Sequence, residues 1–140
     1  MVKLAETLPH TCMLQFQIST CAAIRRVQYS LDFPDPSCPP TNTPPGEIRV
    51  RVETGSTVFD AMVAAADRNR DYNFQTTYFG DSGFFIDAIN GTASQNPCFW
   101  FFYYVIPGLS EQKSQFGVSN VVVPGDNFSI ILRYMDFNNA

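Results

Sequence analysis

The chain has 140 residues, 45% of them apolar and 16% charged, with a formal charge of −4. That length suits one domain able to bury its own core, and that composition excludes a disordered chain. The acidic balance argues against a nucleic-acid binder, which neutralises phosphates with a basic stripe. Arg25-Arg26 and Arg49/Arg51 read as separated pairs rather than a patch.

In chain order, residues 12–19 (CMLQFQIS) alternate apolar and polar side chains, the pattern of a half-buried strand. Residues 24–33 (IRRVQYSLDF) alternate as well. Six prolines follow within residues 34–46, so this stretch is an irregular extended loop, because proline lacks the amide donor that a ladder needs. Residues 47–53 (EIRVRVE) place Ile48, Val50 and Val52 on one face and charges on the other. The spacing of Val58, Met62 and Ala65/Ala66 predicts a helix, with Thr57 as its cap and Asp60 completing a short capping box.

From Phe74 onward the chain reads as β-structure. Strands are expected at 74–79 and 84–89, separated by the turn Gly80-Asp81-Ser82-Gly83, with Asn90-Gly91 as a tight turn. Then comes the aromatic run 98–104 (CFWFFYY), ending at Pro107-Gly108. A polar loop at 110–115 leads to Phe116-Gly117-Val118 and Val121-Val122-Val123, and residues 128–134 (FSIILRY) form the closing strand. One helix lying across a mixed, mainly antiparallel sheet is the economical packing. The expected fold is a single α+β domain of β-grasp type spanning residues 1–140, with a proline-rich insertion at about 19–46.

Four cysteines (Cys12, Cys21, Cys38, Cys98) and two glycosylation sequons, at Asn90 and Asn127, suit an oxidising compartment. The first residues lack the apolar core of a secretory signal, and no run reaches the ~18 apolar residues of a membrane span. The expectation is a secreted protein whose signal peptide lies outside this numbering, against the alternative of a cytosolic chain with four reduced thiols. Three disulfide pairings are open and sequence does not choose among them. The preferred one is Cys21–Cys38, closing a local loop, with Cys12–Cys98 tying the first strand to the aromatic one.

Candidate catalytic groups are sparse. His10 is the sole histidine, so a hydrolytic triad lacks a base near a nucleophile, and the cysteine spacing makes no zinc set. Asp60 is explained as a cap, Asp81 and Asp126 as turn formers, and Asp67 as a solvated charge. Gly80–Gly83 is no phosphate loop. The reading is of a noncatalytic chain without a metal or required cofactor.

The aromatic run carries the functional question. Alternation puts Phe99, Phe101 and Tyr103 on one side, and Trp100, Phe102 and Tyr104 on the other. One helix covers one face of a sheet. Either residues 19–46 cover the second face, or part of it stays open as a flat aromatic surface for a planar ligand or a partner.

Between residues 48 and 134 the chain resembles the C-terminal β-domain of the cobalamin carriers, the transcobalamin and intrinsic factor family. The resemblance rests on an ordered set: a strand followed by the Gly55-Ser56-Thr57-Val58 helix start, the Gly83-Phe84-Phe85-Ile86 to Asn90-Gly91 hairpin, the Phe99-Trp100 strand, Gly117-Val118, and Gly125-Asp126 before a strand ending in Tyr134. It implies an extracellular module whose ligand-facing elements fall on Trp100, Phe102, Tyr104 and the loop at Gln115-Phe116, with cobalamin or a similar planar molecule as ligand. The carriers' helical α-domain has no counterpart in this stretch, and the aromatic run is one residue longer than the family spacing. One small domain would then bury about half of a corrin ring. The other reading is an extracellular structural module that associates with itself or another chain through strand edges and an aromatic face.

Overall fold

The computed structural model describes residues 23–140. The strand expected at 12–19, with His10, Cys12 and Cys21, lies outside them. The elements are β1 (Ile24–Asp32), β2 (Ile48–Glu53), α1 (Val58–Arg68), β3 (Phe74–Tyr78), β4 (Phe84–Ile89), β5 (Thr92–Ala93), β6 (Cys98–Val105), β7 (Gln112–Lys113) and β8 (Phe128–Asp136). Among the described residues this is an α+β fold with one α-helix and two sheets. The larger sheet has the order β2-β1-β8-β6-β7, and β3-β4-β5 form the smaller one. β1 and β8 run parallel, while the other pairs are antiparallel.

Local chemistry explains where α1 begins. Thr57 accepts the amide of Asp60, and the Asp60 carboxylate accepts the amide of Thr57, so two orphan donors are satisfied reciprocally. Val58, Ala61, Met62 and Ala65 then share one face and are buried against Val50 and Val52 of β2. Alternation along the large sheet sends Val27, Tyr29 and Leu31 of β1, and Phe128, Ile130, Leu132 and Tyr134 of β8, into the same core. The small sheet adds Ile86 and Ile89.

The structure corrects three expectations. Cys38 bonds to Cys98, with Cα atoms 5.7 Å apart, so neither Cys21–Cys38 nor Cys12–Cys98 forms. Sequence distance misled here: the proline-rich loop folds back across the sheet edge and delivers Cys38 to the start of β6. Asp35 fastens the same loop, accepting hydrogen bonds from the Ser37 hydroxyl, the Asp136 amide and the Asn139 side chain. Those donors, Ser37 foremost, hold its carboxyl well below the usual carboxylate range.

Residues 116–123 are the second correction. Instead of continuous β-structure they hold a 3-10 turn at Val118–Asn120 and one isolated bridge from Val122 to Thr57. Their backbone serves the start of α1: Val58 donates to the Val121 carbonyl and Val123 to the Ser56 carbonyl, each at 2.9 Å. The third concerns the arginines. Antiparallel pairing of β1 with β2 puts Arg26 directly opposite Arg51 and Gln28 opposite Arg49. Arg26 thus joins Arg49 and Arg51 in one cluster on the outer face, while Arg25 has the opposite parity and donates to the Val123 carbonyl at 2.8 Å.

Candidate functional site

The aromatic strand β6 lies between β8 and β7, with Trp100 opposite Tyr134, Phe102 opposite Leu132 and Tyr104 opposite Ile130. Trp100 and Phe102 point to the core and are only 8% and 7% exposed. Of the two alternatives the covered face is the one observed, and Phe33 of the 19–46 segment takes part in covering it. The core itself covers it: the Phe33 ring meets Trp100 edge-on at 5.3 Å, and the Tyr134 ring lies 5.0 Å away.

Two polar tips fix these rings. The Trp100 indole Nε1 donates to the Thr92 carbonyl at 2.9 Å, and the Tyr134 hydroxyl donates to the Ala93 carbonyl at 2.6 Å. Both acceptors belong to β5, so this short strand orients the aromatic cluster. Thr92 in turn accepts the Thr41 amide through its own hydroxyl, which ties the proline-rich loop to the same place. Burial raises the Tyr134 phenol above its ordinary pKa, keeping it a neutral donor.

The opposite side of β6 is half-buried. The Lys113 ammonium sits 4.9 Å above the Phe101 ring, and the Arg133 guanidinium 4.5 Å above Tyr103. Arg133 is itself held by Asp32 at 2.7 Å and by Glu111. Cation stacking thus shields the second set of aromatics that alternation defined.

A shallow cleft of about 190 Å³ opens between β4, β6 and residues 114–118. Four of the five expected ligand residues line it: Trp100 and Phe102 from the strand, Gln115 and Phe116 from the loop. Tyr104 does not. Its ring packs near Phe102 and Phe128, and its hydroxyl faces Gln112. The loop is pinned because Ser114 donates its amide to the Phe102 carbonyl at 2.9 Å and turns on its own hydroxyl against Phe116. That turn leaves the Phe116 side chain 66% exposed at the mouth.

Sequence reasoning missed the opposite wall, Phe84 and Phe85 of β4. Phe85 is 41% exposed and reaches Phe99 at 6.4 Å. Its signal was available, since Phe84-Phe85-Ile86 is apolar on both parities of a short strand. The two sequons also differ. The Asn90 side-chain amide donates to the Thr43 carbonyl at 3.1 Å and Thr92 is buried, whereas Asn127 is exposed on a positive-φ turn. Among the described residues no group of three or more His, Cys, Asp or Glu side chains could hold a metal, and no helix is long and apolar enough to cross a membrane.

No protein-family model and no curated protein sequence matches the chain. Among solved structures it is similar to haptocorrin in complex with Cbi, with a TM-score of 0.64 and 18% identity over 86% of this chain. The match spans 28% of that protein's chain. At such identity the likeness is one of fold, and it extends beyond the 48–134 stretch that carried the resemblance in sequence.

Proposed function

We propose that the chain is a secreted, noncatalytic binding module that takes a planar ligand, a corrinoid first, at the mouth of the β4–β6 cleft. The carrying observation is the convergence of Trp100, Phe102, Gln115 and Phe116 from two separate segments on one cleft. The fold it shares with haptocorrin in complex with Cbi supports the same choice of ligand. Secretion draws support from the Cys38–Cys98 disulfide, and Asn127 is the sequon suited to a glycan.

The cleft, about 190 Å³, is smaller than the roughly 300 Å³ at which pockets begin to enclose a drug-sized ligand. A corrin ring therefore lies across the mouth instead of entering it. Phe116 and Phe85 supply exposed apolar area, and the buried edges of Trp100 and Phe102 form the floor. The ring's other face is left for a second surface, as in carriers that close two domains over their ligand. Affinity of the isolated chain is accordingly modest, with Kd on the order of 10 μM.

Trp100 is the only tryptophan, so intrinsic tryptophan fluorescence reports on the cleft floor alone. Titration with cobalamin is expected to quench it saturably. Phe116→Ala should weaken binding about ten-fold, roughly the loss of one exposed aromatic contact. Absence of saturable quenching up to about 100 μM, well above the expected Kd, would sink the reading.

A further inference from the structure

We infer that the outer face of β1 and β2 holds a second binding site, for a small molecule carrying two or more oxyanion groups. The site lies at the opposite edge of the large sheet from β6 and is independent of the corrinoid reading. Of the nine lysines and arginines in this −4 chain, four line one cleft of about 1000 Å³: Arg26, Arg49, Arg51 and Arg68.

Register and alternation make the cluster. Arg49 and Arg51 are two apart on β2 and so share a face, with Cα atoms about 7 Å apart. Arg26 is the cross-strand partner of Arg51, which brings their Cβ atoms to about 5 Å. Arg68, in the last turn of α1, reaches over the β2 edge and donates to the Arg49 carbonyl. That bond uses one nitrogen of its guanidinium and fixes the side chain beside the strand.

Like charges placed directly opposite on a sheet repel, so the Arg26–Arg51 pairing carries a cost that a bound anion relieves. Two carboxylates border the cleft among the described residues, while Glu53 follows Arg51 on the same exposed face of β2. Asp126 is engaged by Arg26 through both oxygens, and Asp67 lines the same cleft. The lining of the cleft itself sets four guanidinium groups against one carboxylate, Asp67, a local cationic excess.

The chemistry of arginine defines the ligand class. Its planar fork pairs bidentately with phosphoryl and carboxylate oxygens, and two or three forks on one face suit a ligand with at least two such groups. The Debye length of about 8 Å at physiological ionic strength confines the attraction to this patch, so the overall negative charge does not cancel it. The same overall charge disfavours a long polyanion that would cross acidic surface beyond the cleft.

The test is a titration of the ¹⁵N-labelled 140-residue chain with pyrophosphate and, separately, citrate, following arginine Nε–Hε signals by NMR. At least one probe is expected to shift them saturably with a Kd of about 1 mM or tighter, weakening as salt is added. The stronger probe assigns phosphoryl or carboxylate groups. The Arg49→Gln/Arg51→Gln double variant should bind at least ten-fold more weakly, while Phe116→Ala binds as wild type. Unchanged binding by the double variant, or no shift with either probe at about 10 mM, overturns the proposal. Should the double variant fail to fold, Arg68→Gln is read by the same criterion.

Discussion

Tyr29 and Tyr72 lie with ring centroids 5.3 Å apart, yet their hydroxyls are treated differently by the fold. Tyr72 donates to the Gly46 carbonyl, at the end of the proline-rich loop. Tyr29 is wholly buried, and its hydroxyl meets no hydrogen-bond partner among the described residues. Burial pushes the Tyr29 phenol far above its ordinary pKa, so it stays neutral at any working pH. Removing an unpaired buried hydroxyl relieves a desolvation cost, whereas removing a paired one leaves the Gly46 carbonyl unsatisfied. Tyr29→Phe is therefore expected to raise the unfolding free energy by about 1 kcal/mol and Tyr72→Phe to lower it by about as much. Urea denaturation followed by Trp100 fluorescence measures both; a loss on Tyr29→Phe would show that its hydroxyl is satisfied. Neither difference was legible in sequence, where both residues are simply tyrosines in apolar surroundings.

At the scale of elements, the start of α1 and the Asn90-Gly91 turn were readable because their chemistry is local. The capping box needs residues three apart, and the turn needs positive φ, found at 51° and 77°. The loop that walls the cleft was not readable. It closes on the β4 hairpin through two glycines. A Cβ on Gly117 would lie 3.3 Å from the Ser82 carbonyl oxygen, and one on Gly83 2.7 Å from the Ser119 hydroxyl. Gly83 also has a φ of 82°, which an L side chain rarely adopts. Gly83→Ala is expected to cost about 1–3 kcal/mol and to loosen residues 114–120 from the hairpin. Gly46→Ala, with open space around its Cβ, is the neutral control. Equal stability of the two variants in thermal unfolding would contradict this account of the wall.

For the whole molecule, the Cys38–Cys98 bond is a long-range covalent tie, joining positions 60 residues apart. Closing a loop of that size removes chain entropy from the unfolded state worth about 4 kcal/mol in the loop-entropy model. A Cys38→Ser/Cys98→Ser variant is expected to lose about 2–5 kcal/mol. The loss should fall on the proline-rich loop and β5, where Thr41 meets Thr92 and Asn42 donates to the Asn90 carbonyl. Hydrogen exchange on the variant locates the effect: early opening confined to α1 would speak against it.

The sequence by itself determined what depends on neighbours a few residues apart. These are the strands β1 to β4, β6 and β8, the capped helix, the turns, and the division of CFWFFYY into two faces. It also determined the α+β class, since one amphipathic helix among many strands has few ways to bury its stripe. The tertiary structure decided everything that depends on pairing between distant segments. It chose the inward face of β6, because Phe33 and β5 sit on the Trp100 side. It joined Cys38 to Cys98, because the loop returns across the sheet. It joined Arg26 to Arg49 and Arg51 in one cluster, because antiparallel register makes cross-strand partners of residues that no local pattern relates.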